Sequence, residues 1–278
     1  MKAGLKTFAV AALGFFAATA FGDNARVTAR SYVQKNLIAH WDGVNNDGNS
    51  GDGGFMPHNA NATSWTDLVS NRQFVLSNSS GKWNDTYLQF SGTSPYVYGL
   101  LNASDTTATF GAIAANGVYE VALNAPAKTS SQYYVILKSH YDVTHTIGTT
   151  YNYFRNSYAP CYNLTPNINR SAATGTLAVK YTGSEASAFA AYADGVQVTT
   201  GGGADNIGQY VVDNGTLLGC RSTSSSSVNV KDPFPGKVYA IRLYDRQLSD
   251  DELKINAAID RVRFYGGTAD VSTLLPAG

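Results

Sequence analysis

Three glutamates, Glu120, Glu185 and Glu252, are the first candidates for acid–base chemistry in this chain of 278 residues. A retaining glycosidase needs two carboxylates about 5 Å apart, flanking the bond that it cleaves. Neither Glu120 nor Glu185 has an aspartate two residues later, and Glu252 lies where it would cap a helix. Pairs of aspartates stay open, although none has a diagnostic spacing. We therefore expect no catalytic residues of the paired-carboxylate type.

The histidines and a loop rich in Asn, Asp and Gly are the candidates for metal binding. His140 and His145 would point to opposite faces of a continuous strand, which is poor geometry for one ion. The loop 45–54 is rich in the hard oxygen ligands that Ca²⁺ prefers, but its spacing does not match the calcium-loop motif. Such loops commonly form only turns. We expect no metal site and no cofactor, with calcium left open at this loop.

The composition excludes two functional classes. Twenty Lys and Arg balance twenty Asp and Glu, so no basic surface is available to hold the phosphates of a nucleic acid. Hydrophobic residues make up 44% of the chain and aromatic residues 12%, more than a disordered chain contains. Only 14% of the residues are charged, and the many Tyr, Thr, Ser, Asn and Gly are typical of an extracellular all-β protein.

Residues 1–22 have the pattern of a secretory signal peptide. Two lysines precede an uncharged run, 8–21. Ala18-Thr19-Ala20 fits the small-residue cleavage site, and Ala20-Phe21-Gly22 is a second candidate. The apolar run is shorter than the ~20 residues that span a bilayer, and no later stretch is long and apolar enough. We expect an exported protein without a membrane span, located outside the cell, in the periplasm or at the cell surface. Residues 23–278 would then form a single domain.

The two cysteines, Cys161 and Cys220, are a candidate disulfide. In an oxidising compartment two cysteines of one domain can pair, and closing so long a loop would stabilise the fold. The alternative is two reduced, buried thiols. Both interpretations stay open here.

Many short runs rich in β-branched or aromatic residues are separated by Gly, Asn, Ser or Pro, which predicts short strands joined by turns. The clearest hairpin is 187–198, with Asp194-Gly195 as its type I′ turn. One helix is predicted to begin at Ser249, with Glu252 completing a capping box, and to end before Gly266. The other predicted strands are 36–41, 87–90, 118–123, 133–138, 151–154, 177–181, 217–220 and 237–244.

Three blocks resemble bacterial laminin-G-like domains of the concanavalin A-like lectin/glucanase superfamily. They are an opening strand, 32–43, a Ser64-Trp65-Thr66-Asp67-Leu68 block, and a closing segment, 236–253, with its Arg-x-Tyr-x-Arg-x-Leu-Ser ending. The resemblance implies an all-β fold: a two-sheet antiparallel jelly-roll sandwich with one sheet concave and one short C-terminal helix. It implies less about activity, because the superfamily contains lectins, carbohydrate-binding modules, adhesion domains and hydrolases.

We therefore expect an exported, non-catalytic carbohydrate-binding or surface-adhesion domain whose partner is a polysaccharide or glycoconjugate. The alternatives are a glycoside hydrolase or polysaccharide lyase on the same fold, and a purely structural envelope protein. Aromatic rings that stack on sugars, together with polar donors, would form the site.

Trp41, Arg242 and Tyr244 are the predicted ligand-binding residues. In the last strand, a period of two puts Tyr239, Ile241 and Leu243 on one face, taken as the core, and Arg242 and Tyr244 on the other. Two alternatives compete with this assignment. Trp41 belongs to the core in one, and in the other Arg242 pairs with a carboxylate such as Asp42 or Asp67.

Overall fold

The computed structural model describes residues 27–114, 116–126, 134–139, 144–147, 152–155, 162–165, 173–181, 189–202 and 212–267. The predicted signal peptide lies outside these residues, and so do Cys161, His140 and Glu185. Export and the boundaries of the single domain stay predictions. Among the helices in the described residues, none is long and apolar enough to cross a membrane.

Strands dominate the described chain. In chain order they are β1 (Leu37–Asp42), β2 (Ser64–Thr66), β3 (Gln73–Ser77), β4 (Trp83–Asn84), β5 (Tyr87–Gln89), β6 (Tyr98–Leu101), β7 (Val118–Ala125), β8 (Tyr134–Ser139), β9 (Thr144–Ile147), β10 (Asn152–Arg155), β11 (Tyr162–Thr165), β12 (Ala173–Tyr181), β13 (Phe189–Ala193), β14 (Val196–Gly202), β15 (Thr216–Leu218), β16 (Arg221–Ser222), β17 (Val230–Lys231) and β18 (Lys237–Tyr244). The helices are α1 (Ala103–Thr106), continued by a π-helical turn (Thr107–Gly111), and α2 (Asp250–Phe264).

Sixteen of these strands form two antiparallel sheets, and β16 and β17 pair as a separate two-stranded sheet. Sheet A has the order β4-β5-β18-β7-β12-β13-β14, with β1 also paired to β18, and sheet B has the order β2-β3-β6-β15-β8-β9-β10-β11. The pairing of β11 with β14 joins the two sheets at one side. The predicted all-β jelly-roll sandwich with a C-terminal helix is confirmed. Each predicted strand overlaps an observed one, whereas α1 and eight short strands were not predicted.

The main core lies between the two sheets. Trp41 and Ile241 of sheet A are fully buried there with Phe74 and Leu137 of sheet B. The Trp41 ring lies 4.9 Å from the ring of Phe74 and is stacked 6.3 Å from that of Phe110, next to α1. Rings from three segments thus close this part of the core, and Trp41 is one of its central members.

A β-bulge in β18 changes the faces of this strand. Val238 pairs with Leu123, but the next pair along β7 is Ala240 with Ala122, so Tyr239 is an extra residue. Val238 therefore points into the core with Ile241, while Tyr239 lies on the opposite side of sheet A. The prediction that Tyr239 is a core residue is wrong, because one inserted residue reverses the alternation on one side of the bulge.

Helix α2 begins as predicted. The side chain of Ser249 accepts from the Glu252 amide at 3.2 Å, and the Glu252 carboxylate accepts from the Ser249 amide at 2.8 Å. The β13–β14 hairpin packs below the first turns of α2 through Gly195, where a Cβ atom would lie 2.5 Å from the Cα of Lys254. Asp194 and Gly195 have φ angles of 49° and 75°, in agreement with the type I′ turn.

We expect Ser249→Ala to lower the free energy of unfolding by about 1 kcal/mol, because the variant removes one half of the capping box. Urea unfolding followed by far-UV circular dichroism measures the difference. Ser70→Ala, at an exposed serine whose hydroxyl makes no hydrogen bond among the described residues, is the matched control. Equal midpoints for the two variants would show that the cap contributes nothing.

Candidate functional site

The outer face of sheet A carries a buried ionic cluster centred on Arg242. Its Nε donates to Oε2 of Glu120 at 2.8 Å, and Nη1 and Nη2 donate to the two carboxylate oxygens of Asp260 at 2.8 and 2.5 Å. All three side chains are fully buried. Because Arg242 and Glu120 lie on adjacent strands and Asp260 lies on α2, the cluster fastens the helix to the sheet.

Neighbouring side chains bond to further polar atoms of this cluster, while Oε1 of Glu120 has no hydrogen-bond partner among the described residues. Nδ2 of Asn256 donates to Oε2 of Glu120 at 2.9 Å and to the hydroxyl of Tyr244 at 3.0 Å. The hydroxyl of Tyr32 donates to Oδ1 of Asp260 at 2.6 Å. The centre of the Tyr32 ring also lies 4.1 Å from the Arg242 guanidinium carbon, a cation–π contact. The N-terminal segment is therefore part of the same interface.

A second buried ion pair connects β1 with the end of α2. Nη1 and Nη2 of Arg263 donate to Oδ2 and Oδ1 of Asp42 at 2.5 and 3.1 Å, and Nη1 also donates to the hydroxyl of Tyr32 at 3.1 Å. Burial opposes ionisation of Asp42, but the charge of Arg263 and the bonds from His40 and Arg263 outweigh it and hold the pKa of this carboxyl well below its usual range. Asp42 is therefore ionised at neutral pH.

The structure places all three predicted ligand-binding residues inside the protein. Trp41, Arg242 and Tyr244 are each 0% exposed. Trp41 belongs to the core between the sheets, and α2 covers the other two. The prediction that they lie on a ligand-binding face is wrong. Each side chain is buried in apolar or polar contacts within the protein, so none has surface left for a sugar.

The alternative that Arg242 pairs with a carboxylate is correct, but the carboxylates suggested for it are not its partners. Arg242 pairs with Glu120 and Asp260 rather than with Asp42, which pairs with Arg263, or Asp67, which accepts backbone amides of its own turn. One sequence pattern could have revealed these partners. The polar residues Asn256, Asp260 and Arg263 recur at spacings of four and three, so they share the face of α2 that packs on the sheet.

The predicted disulfide is not formed at Cys220, which is a free thiol. Its side chain is buried with Leu217 on the outer face of sheet B, against half-buried Tyr98 and Leu100. Burial raises the pKa of this thiol to about 12. The alternative of a buried, reduced thiol therefore describes Cys220, while Cys161 lies outside the described residues.

The loop 45–54 is held by its own polar groups. The side chain of Asn49 accepts from the Gly51 amide at 3.1 Å, and that of Asp52 accepts from the Gly54 amide at 3.0 Å. The parts of the chain that the structure describes contain no group of three or more His, Cys, Asp or Glu that could hold a metal ion. The expectation of no metal site stays a prediction, with calcium at this loop as its open alternative.

Four aromatic side chains, which we call the aromatic cluster, lie on the outer face of sheet A beside the end of α2. The centre of the Tyr239 ring lies 5.2, 5.3 and 5.2 Å from those of Tyr87, Phe264 and Tyr265. Tyr239 is buried and the other three are half-buried. The hydroxyl of Tyr265 donates to two backbone carbonyls of sheet A, at 3.1 and 3.0 Å. Part of the cluster is therefore open to solvent, and the bonds of the Tyr265 hydroxyl fix the cluster to sheet A.

A cleft of about 440 Å³ adjoins this cluster. Phe264 belongs to both, so the aromatic surface continues into the cleft. Arg263 lies in its wall and keeps its bonds to Asp42. The arrangement combines an aromatic wall with amide, hydroxyl and guanidinium groups, which suits a polar ligand that has apolar faces. The lining residues are Val27, Thr28, Val44, Asn45, Val262, Arg263, Phe264 and Gly266.

Known structures share the fold of this chain at low sequence identity. A Trypanosoma rangeli sialidase holding 2,3-difluorosialic acid is 12% identical with a TM-score of 0.53, over 82% of this chain and 34% of the sialidase. A second structure of the sialidase from the same organism is 13% identical with a TM-score of 0.52 over the same shares. This chain therefore spans about a third of the sialidase length, and the likeness shows the fold alone.

Other comparisons add no family. The receptor-binding domain of a botulinum neurotoxin C/D mosaic is 11% identical over 80% of this chain and 51% of that domain, with a TM-score of 0.47, too low to assign a shared fold. No family model matches the chain. No curated protein matches it either. The class that the structure defines is an all-β sandwich whose outer face is closed by a helix.

We expect Arg242→Met to lower the free energy of unfolding by about 3–5 kcal/mol, because it leaves Glu120 and Asp260 buried without a compensating cation. Arg261→Met, on the exposed side of the same helix, is the control and should stay within about 0.5 kcal/mol of the wild type. Urea unfolding of both variants measures the difference. A loss below 1 kcal/mol in Arg242→Met would contradict the role assigned to the cluster.

Asp42 predicts an acid-dependent stability. Its pKa in the folded protein lies below the unfolded value of about 3.9, so its contribution is complete above about pH 5 and is lost progressively as pH falls through the unfolded pKa toward the folded one. We expect Asp42→Asn, which can still accept the backbone amides at 44 and 45, to be less stable at pH 7 and to show a shallower decline between pH 5 and pH 3. Thermal unfolding across this range measures both effects, and parallel profiles would count against the assignment.

Proposed function

We propose that this protein is an exported, non-catalytic carbohydrate-binding or surface-adhesion domain of the laminin-G-like type. The observation that carries the proposal is the partly exposed aromatic cluster continuous with a polar cleft. Sugars present flat C–H faces that pack on aromatic rings, and hydroxyl groups that need both donors and acceptors. A polysaccharide or glycoconjugate is therefore the partner class that this surface fits best.

The positions of the described glutamates support a non-catalytic role. Glu120 lies below α2, bound to Arg242 and Asn256. Glu252 caps α2 and also pairs with Arg246, whose Nη2 lies 2.5 Å from its Oε1. A glycosidase acid must reach the glycosidic oxygen of its substrate. Neither described glutamate is free to do so, since each is committed to holding α2.

The fold supports the same class of partner. The neighbouring sialidases act on glycans, and about a third of their length shares the fold of this chain. Their activity belongs to much longer proteins, so it suggests a glycan context rather than the same reaction. The secretory pattern of residues 1–22 agrees with a role outside the cell, in the periplasm or at the cell surface.

We expect the full mature chain to bind at least one neutral or acidic polysaccharide on a glycan array, with a dissociation constant between micromolar and millimolar (about −8 to −4 kcal/mol). A shallow surface with few anchoring groups gives affinities of this order. Isothermal titration with the best array ligand measures the constant.

The same polysaccharides, incubated with the protein, should release no reducing ends and no unsaturated products. Release of either product would make the protein a hydrolase or a lyase. No binding anywhere on the array would favour the structural envelope protein and overturn the proposal.

A further inference from the structure

The cleft beside the aromatic cluster offers both kinds of hydrogen-bonding group that a sugar hydroxyl needs. Asn45 uses its amide nitrogen to donate to the carbonyl of Met56 at 3.1 Å, which leaves its amide oxygen as an acceptor. The hydroxyl of Thr28 accepts from the Arg30 amide at 3.2 Å and keeps its proton to donate. Phe264, a member of the aromatic cluster, supplies the aromatic part of the cleft lining, and the guanidinium carbon of Arg263 lies 5.0 Å from its ring centre.

The charges around the cleft disfavour an acidic ligand. Among the described residues that line it, Arg263 is the one charged side chain, and Asp42 neutralises it through two hydrogen bonds. The cleft also lies at the C-terminal end of α2, where the helix dipole places partial negative charge. A carboxylated sugar would therefore meet a buried carboxylate and a negative helix end without an unpaired cation.

We propose that this cleft, with Phe264 as its aromatic contact and Asn45 and Thr28 as its polar contacts, is the glycan site and that it takes an uncharged sugar in preference to a carboxylated one. The inference rests on the proposed function and adds to it a location and a ligand class. It also gives a role to the buried partner of the arginine in the cleft, because the Arg263–Asp42 pair presents no net charge to the ligand.

The location is tested by binding and by nuclear magnetic resonance on the full mature chain. The probes are cellohexaose, mannohexaose and lactose, each matched by an acidic probe: hexagalacturonate for the first two and sialyllactose for lactose. We expect the amide shifts caused by a neutral probe to concentrate at Val44, Asn45 and Phe264. This result needs no variant and is independent of any effect of mutation on folding.

Two variants test the contacts directly. Phe264→Ala should weaken binding of the neutral probe at least tenfold, and Asn45→Ala about fivefold. The matched controls are Tyr96→Ala, a half-buried ring elsewhere, and Asn229→Ala, an exposed amide on the β16–β17 hairpin; both should stay within twofold of the wild type. Because Phe264 also packs on Tyr239, thermal unfolding accompanies each titration, and Asn45→Ala decides the case if Phe264→Ala loses its fold.

The outcomes separate this inference from the proposed function. Binding that persists in Asn45→Ala and shifts that lie elsewhere would overturn the site and leave the glycan-binding function intact. Sialyllactose or hexagalacturonate binding as tightly as its neutral partner would overturn the preference for uncharged sugars. If none of these probes binds and the glycan array is also empty, the proposed function fails and the site fails with it.

Discussion

The rest of the structure depends on the buried fork between Arg242 and Asp260, with Glu120 as a third member. Acidic and basic side chains removed from water are tolerable only when they are paired and hydrogen-bonded, which demands one position of α2 on sheet A. The helix therefore cannot slide along the sheet without breaking charge-assisted bonds. Apolar contacts supply the area of this interface, and the ionic cluster selects its geometry.

The second pair, Asp42 with Arg263, extends this constraint to the edge of the interface. It connects the end of β1 with the last turn of α2, and the hydroxyl of Tyr32 bonds both ionic groups to the N-terminal segment. The walls of the cleft are these same three segments. Stability and the shape of the cleft are thus coupled, because the contacts that hold α2 in place also shape the surface beside it.

Signals that act over a few residues were predictable from the sequence. The capping box at Ser249 and the Asp194-Gly195 turn depend on neighbouring backbone atoms alone, and both occur as expected. Eight strands of two to five residues were missed, among them β3 and β6, because so short a run gives little periodicity and Gly99 interrupts the second. Tyr239 was misplaced because a bulge depends on how two strands pair, which neither strand reveals by itself.

The sequence by itself determined an all-β protein with a C-terminal helix, since alternation, turn residues and helix caps are local properties of the chain. It also determined that Arg242 lies on the face of β18 opposite Ile241. Only the tertiary structure decided what covers that face. The partners of Arg242 lie 122 residues before it and 18 after it, and the cleft forms where three distant segments meet. Such contacts depend on how the elements pack in space, and the spacing of residues along one strand does not determine that packing.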